Sequence, residues 1–74
     1  MITGTVDFSE YIVDYYYNYQ KIVLKSIFKV NEYDVGKYES QLIEPKKLPP
    51  QTLDLITQKC NNDAQNKIIL NHFL

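Results

Sequence analysis

Cys60 and His72 are the only cysteine and histidine in this 74-residue sequence, so nucleophilic catalysis would have to use them. A cysteine nucleophile needs a neighbouring base and a third group that orients the base. Asp54 or Asp63 could supply that third group, but no local signature accompanies any of these residues. The sequence therefore predicts that Cys60 is a small buried apolar residue and that the protein is not an enzyme.

Metal and cofactor sites are not predicted either. A structural zinc site takes several cysteine and histidine ligands in register, and this chain has one of each. The run Asn61-Asn62-Asp63 lacks the spacing of a calcium loop, and the two glycines are too far apart for a phosphate-binding loop. We expect no cofactor, no metal and no small-molecule substrate.

The chain contains no arginine, and lysines supply all eight positive charges. Arginine is the residue best suited to bidentate recognition of phosphate and carboxylate groups. The formal net charge of -1 gives no general attraction to nucleic acid or to an anionic membrane. The scarcity of Gly, Ala and Pro beside plentiful Ile, Lys, Asn and Tyr is typical of an AT-rich coding sequence.

The length of 74 residues predicts one small domain, 1–74. A core of this size rarely supplies more than ~3–5 kcal/mol, which favours pairing with another chain. The single cysteine, and the lack of a signal peptide at the first residues, predict a cytoplasmic protein, or one of the host cytoplasm if the source is viral.

Residues 9–30 are predicted to form one long N-terminal helix. Ser9 suits the N-cap position, and the runs 22–24 and 27–28 do not alternate as a half-buried strand would. Polar residues recur every three or four positions, as on one stripe of a helix: Glu10, Asp14, Asn18, Lys21, Lys25 and Lys29.

Two shorter C-terminal helices are predicted after the Pro49-Pro50 break. Pro50 fits the first turn of a helix over 51–60, and Asn61-Asn62 would separate it from a second helix over 64–73. The fold class is therefore mainly α, a small helical domain built on the long helix.

Strands at the chain ends are the alternative, which would make the fold α+β. Residues 1–8 alternate with period two, which indicates an extended arm or strand with weak candidate partners in 67–74 or 33–35. The segment 64–73 could also be a strand. Residues 31–47 are predicted to form either a short helix or a loop with one extended piece at 41–44.

The long helix would carry a second apolar stripe on the side away from its core face. A surface helix normally shows one apolar face, so the extra stripe predicts either a central position in a bundle or a protein interface. The predicted interface residues are Val13, Tyr17, Leu24 and Phe28, with Lys21 and Lys25 at the rim.

The function predicted from these features is a non-catalytic protein-interaction factor. Its partner would be a host protein or a second copy of itself, and small size and composition are typical of a phage or mobile-element protein. Such a factor would inhibit or redirect its target by steric occlusion, with Tyr17 and Phe28 as buried anchors.

A small DNA-binding regulator is the alternative function. The two predicted helices within 51–73 have roughly the layout of a helix-turn-helix. Against this, the second of them carries one lysine and no arginine, so it would anchor few phosphates. The candidate nucleic-acid contacts are Lys46, Lys47, Gln65, Asn66 and Asn71.

Overall fold

The computed structural model describes the backbone of residues 1–73 and all their side chains except those of Tyr33 and of 71–73. These residues form a four-stranded antiparallel sheet followed by one α-helix, with strand order β1-β2-β3-β4. The elements are β1 Ile2–Phe8, β2 Tyr11–Tyr17, β3 Ile22–Asp34, β4 Lys37–Ile43, a 3₁₀ turn at Pro45–Lys47, and α1 Pro50–Phe73.

The prediction of a mainly helical fold built on a helix over 9–30 is wrong, because that segment forms β2 and most of β3. The four-residue spacing of the polar positions is a multiple of two as well as about one helical turn. It therefore fits a strand as well as a helix. Tyrosine, isoleucine and valine, which dominate this segment, favour the pleated surface of a sheet.

The predicted helix is interrupted at Asn18, where the chain turns from β2 into β3. The Asn18 side-chain oxygen accepts hydrogen bonds from the backbone N–H groups of Gln20 at 3.0 Å and Lys21 at 2.9 Å. Tyr19 has φ +69°, a left-handed conformation that continues neither a helix nor a strand. This short-range bonding by asparagine is a common way to stabilise a turn.

A β-bulge explains why the apolar residues of β3 do not alternate. Asp14 pairs with Ser26 and Tyr15 pairs with Leu24, so Lys25 is an extra residue on β3. The extra residue reverses the parity of the strand. Leu24 and Ile27 consequently both lie on the sheet face that meets the helix, although in a regular strand two residues three positions apart would lie on opposite faces.

β1 lies where the period-two pattern of residues 1–8 indicates a strand, and it pairs with β2 rather than with either predicted partner segment. The segment 31–47 contains the end of β3, all of β4 and the 3₁₀ turn. The short helix considered for this segment is therefore not formed. Gly36, at φ +76°, lies in the turn between β3 and β4.

The C-terminal third is one helix rather than two, because α1 continues through Asn61 and Asn62. Both asparagines are exposed, and their weak helix preference is overcome by packing along the opposite side of α1. Pro50 is the first residue of α1, as predicted, and the Pro49 carbonyl accepts a hydrogen bond from Leu53 N–H at 3.1 Å.

The core lies between α1 and the inner face of the sheet, by which we mean the face that α1 covers. Ile56, Cys60 and Ala64, spaced four residues apart, are fully buried on α1. Leu48 closes the end of the core beside the 3₁₀ turn. The buried residues of the sheet are Val6, Val13, Tyr15 and Ile27.

Helix side chains approach the backbone of β1 closely at Gly4. A Cβ atom built at Gly4 would lie 2.8 Å from Asp63 Oδ2 and 2.8 Å from Tyr15 Cε1, and it would also overlap the Lys67 ammonium. Asp63 and Lys67 belong to α1, so the missing side chain at Gly4 is what allows these residues to reach the sheet.

We predict that Gly4→Ala lowers the free energy of unfolding by ~1–3 kcal/mol, because the added methyl group must displace at least one of these packed groups. Chemical denaturation followed by far-UV circular dichroism measures the effect. The control is Thr3→Ala at the exposed neighbouring position, expected to change stability by less than ~0.5 kcal/mol. A Gly4→Ala variant more stable than the parent would contradict the prediction.

Candidate binding surface

The face of the sheet opposite α1, here called the outer face, carries a row of apolar side chains across three strands. Ile12 pairs with Phe28, and Phe28 pairs with Leu42. Ile12 is 37% exposed and Leu42 is 64% exposed, while Phe28 between them is half-buried. Val30 and Tyr38 extend this outer row, and Tyr38 is 65% exposed.

The outer row lies on the part of the sheet that the helix does not back. α1 packs mainly against β1, with smaller contacts to β2 and β3. Beyond the pair Ile27 and Ile43, which packs on the core, the described side chains on the inner face of the β3–β4 hairpin are polar: Lys29, Asn31, Lys37, Glu39 and Gln41. The end of the β3–β4 hairpin that lies beyond the helix is therefore amphipathic, and its apolar side faces away from the core.

A polar row adjoins the apolar one on the same face. Asp14 accepts hydrogen bonds from Thr5 Oγ1 at 2.6 Å and from Ser26 Oγ at 3.0 Å. The bond from Thr5, then the bond from Ser26, and the nearby Lys25 charge together lower the pKa of the Asp14 carboxyl despite its partial burial. Asp14 is thus held as a carboxylate in the middle of the outer face.

The strand positions of the outer face carry more acidic than basic residues. Asp7, Asp14 and Glu32 lie on this face, whereas Lys25 at the bulge is the basic residue beside them. A shallow depression at the β1–β2 turn adds to the acidic character. It is lined by Asp7, Ser9, Glu10, Tyr11, Ile12 and Val30.

The inner face holds a polar cluster of a different kind, in which Tyr15, Asp63 and Lys67 join the sheet to the helix. The Tyr15 hydroxyl donates to Asp63 Oδ2, and Lys67 Nζ lies 3.1 Å from the same oxygen. Lys67 Nζ also donates to the Thr3 carbonyl at 3.0 Å and lies 5.7 Å from the centre of the Tyr15 ring.

In this cluster the pKa of the donor Tyr15 is raised and the pKa of the acceptor Asp63 is lowered, and both shifts favour the hydrogen bond between them. Burial and the Asp63 carboxylate raise the pKa of the Tyr15 hydroxyl. Burial alone would raise the pKa of Asp63, but the hydrogen bonds from Tyr15 and Lys67 and the Lys67 charge lower it overall. Tyr15 therefore stays protonated and Asp63 stays ionised, which suits a structural tie rather than proton transfer.

Cys60 is a buried free thiol beneath this cluster. Burial and the nearby Asp63 charge raise its pKa to about 11. A nucleophilic cysteine needs the opposite shift. Among the side chains that the structure describes, no three of the types His, Cys, Asp and Glu lie close enough together to bind a metal ion.

The structure separates the four predicted interface residues instead of placing them on one stripe. Val13 is fully buried on the inner face, and Tyr17 and Leu24 are partly buried against the same core. Phe28 alone lies on the outer face. The predicted rim residues, Lys21 and Lys25, are exposed in the β2–β3 turn and at the bulge.

The residues predicted for the DNA-binding alternative do not form a helix-turn-helix, because α1 has no turn at 61–62. Lys46 lies in the 3₁₀ turn 3.5 Å from Glu44, and Lys47 is next to it. Gln65 and Asn66 lie in the middle of α1. The side chain of Asn71, like that of His72, lies outside the described residues.

Ile12, Val30, Tyr38 and Leu42 form most of the outer row, and the sequence reasoning assigned none of them to a binding surface. Alternation along each strand is the signal that could have identified them. Residues 38 and 42 lie on one face of β4, and residues 28 and 30 lie on one face of β3. The pairing of β3 with β4 then places both sets on the same face of the sheet.

Comparison of the chain with protein-family models, with curated proteins and with solved structures gave no match. In the part of the chain that the structure describes, no helix has both the length and the apolar character needed to cross a membrane.

We predict that Tyr15→Phe lowers the free energy of unfolding by ~1–2 kcal/mol near neutral pH, because Asp63 loses a hydrogen bond. The contribution of Asp63, whose pKa is lowered from 3.8, is present above about pH 4 and is lost as the pH falls further. The contribution of Tyr15, whose pKa is raised from 10.0, is complete below about pH 10 and is lost as the pH rises further.

Denaturant titrations across this pH range should thus show the difference between parent and Tyr15→Phe shrinking at both ends. Tyr19→Phe is the matched control, because Tyr19 is 60% exposed and belongs to neither the core nor the outer row. A difference that stays constant with pH would show that the loss comes from packing and not from the hydrogen bond.

We predict that Cys60 reacts with iodoacetamide at least ~100-fold more slowly than an unhindered thiol, because a pKa about two units above normal cuts the thiolate fraction by that factor. Mass spectrometry after timed alkylation measures the rate, and the same chain in denaturant provides the reference. Equal rates in the folded and denatured chains would contradict the buried position of the thiol.

Proposed function

We propose that this protein is a non-catalytic protein-binding module that engages its partner through the outer face of its sheet. The observation that carries the proposal is the outer row, in which apolar side chains lie in register on three strands without a covering element among residues 1–73. Contiguous exposed apolar surface on a small domain is characteristic of interaction sites.

The chemistry of the surface defines the kind of partner. Aromatic and aliphatic side chains at the centre, here Phe28 with Ile12 and Leu42, provide the desolvated anchors of an interface. The surrounding carboxylates of Asp7, Asp14 and Glu32 favour a partner that presents lysine or arginine around an apolar centre.

The depression at the β1–β2 turn supports the same assignment. Asp7 and Glu10 contribute acidic side chains to it, and Ile12 and Val30 contribute apolar ones. A lysine or arginine side chain has the complementary form, an aliphatic stem with a cationic end. This depression adjoins the outer row, so one basic side chain of the partner could occupy it while the apolar centre meets the row.

A binding role agrees with the chemistry beneath the helix, where Tyr15, Asp63 and Lys67 are bonded to each other and Cys60 is buried. An intracellular site of action is part of the proposal, since Cys60 is a buried free thiol rather than half of a disulfide. The acidic outer face disfavours nucleic acid as the ligand of this surface, because phosphates would be repelled.

We predict that Ile12→Lys weakens partner binding at least ~tenfold, because it places a desolvated charge in the apolar row and repels a basic rim. The matched control is Leu55→Lys, which introduces the same charge at a similarly exposed position on α1. Tagged parent, variant and control are used to capture proteins from a lysate of the expressing cells, with nuclease and a high-salt wash.

A protein retained by the parent and the control but lost from Ile12→Lys supports the proposal, and its affinity is then measured for all three chains. Retention of nothing, or equal retention by Ile12→Lys, would overturn the assignment of the outer face. Circular dichroism of the variant verifies that the fold is intact.

A further inference from the structure

The two edge strands of the sheet, β1 and β4, differ in whether side chains bond to their backbone. On β1, the Thr3 carbonyl accepts a hydrogen bond from Lys67 Nζ at 3.0 Å and the Asp7 carbonyl accepts one from Lys59 Nζ. Both lysines come from α1, so the helix covers this edge as well as the inner face. Lysine side chains placed along an edge strand hinder its pairing with another chain.

β4 is the other edge, and it lacks this protection. Among the side chains that the structure describes, none hydrogen-bonds to the backbone of Lys37–Ile43. All its side chains from Lys37 to Leu42 are exposed. Because α1 packs over β1, β2 and β3, the space beside β4 is open to a neighbouring strand.

We propose that β4 pairs antiparallel with β4 of a second copy of this chain, across a two-fold axis that passes near Ser40. The pairing would join two sheets of four strands into one continuous sheet. In this register Tyr38 lies opposite Leu42 of the second copy on the outer face. An aromatic residue opposite an aliphatic one is a stabilising cross-strand pair.

The outer row explains why the pairing would be stable. Tyr38 and Leu42 are 65% and 64% exposed in the single chain, and they lie at the edge where the row stops. Pairing buries both and continues the row from Ile12, Phe28 and Leu42 into the second copy. A domain of 74 residues buries a smaller share of its unfolded surface than a larger domain does, so it gains from added burial.

Charge favours the antiparallel direction. The turn end of the β3–β4 hairpin is net negative, with Glu32 and Asp34 beside Lys37, whereas the other end of β4 is net positive, with Lys46 and Lys47 beside Glu44. Antiparallel pairing brings the acidic end of one copy to the basic end of the other, twice by symmetry. Shifting the axis to residue 39 would instead place Glu39 opposite itself, which is unfavourable.

The same asymmetry of edges limits the assembly to two chains. After β4 has paired, the edges of the joined sheet are the two β1 strands, and Lys59 and Lys67 cover both. An isologous interface of this kind closes on itself. The inference goes beyond the proposed binding of a partner. Leu42 takes part in both contacts, so the two proposals are tested at different places, the partner at Ile12 and the dimer at the β4 edge.

Sedimentation equilibrium over a wide concentration range tests the proposal with the full chain. The parent should show a monomer–dimer equilibrium, and Leu42→Lys should raise the dimer Kd at least ~tenfold, which corresponds to ~1.4 kcal/mol. Leu55→Lys, exposed on α1, should leave the Kd unchanged. Amide hydrogen exchange should show that protection of 37–43 rises with protein concentration while protection of 2–8 does not.

A charge exchange provides a second variant set in case Leu42→Lys affects folding. Asp34→Lys and Lys46→Glu should each weaken the dimer, and the double variant should recover most of the parental Kd. A monomer at every concentration would overturn the proposal. So would a dimer that neither Leu42→Lys nor the single charge changes weaken. Partner capture is tested by Ile12→Lys, and Ile12 lies two strands away from the β4 edge, so the two proposals can fail separately.

Discussion

The close packing of α1 against β1 and β2 is the constraint on which the remaining structure depends. A sheet of four strands has one helix to cover it, and that helix contributes its buried side chains from one narrow line. Cys60 and Ala64 are small, which lets the helix axis lie near the sheet, and Gly4 removes the side chain that would hold it away. Tyr15 fills the space that these residues leave and reaches Asp63.

This arrangement divides the sheet into a covered and an uncovered part. The helix reaches across β1 and β2 to the near part of β3, and its lysines bond to two carbonyl groups of the β1 edge. The part of the β3–β4 hairpin beyond Ile27 and Ile43 is not backed by the helix, and its inner side is polar. Its apolar residues then gather on the outer face, so the surface proposed for binding follows from the helix being narrower than the sheet.

The sequence allowed prediction of β1, of the start of α1 at Pro50 and of the burial of Cys60, because each rests on a local signal. It did not distinguish strand from helix over 9–30, since polar residues four apart satisfy both periods. The bulge at Lys25 removed the alternation that would have identified β3. Asn61 and Asn62 predict a break between two helices. The helix continues through them because Ile56, Cys60 and Ala64 pack against the sheet.

The predicted interface depended on the predicted fold, because a site depends on which side chains share a face. Grouping Val13, Tyr17, Leu24 and Phe28 assumed helical geometry, whereas strand pairing places Val13 in the core and Phe28 on the opposite side of the sheet. Residues of β4 entered the surface only through register with β3. The spacing of residues within one segment does not reveal which other segment it pairs with.

The order of the elements along the chain has a consequence during synthesis. Each strand pairs with its neighbour in sequence, so the meander can form as soon as its residues are available, whereas the helix that covers it comes last. At ~5–20 residues per second, the 24 residues of α1 take about 1–5 s to add. Throughout that interval Val6, Val13 and Ile27 face water, so the nascent chain is most vulnerable to aggregation just before translation of the helix is complete.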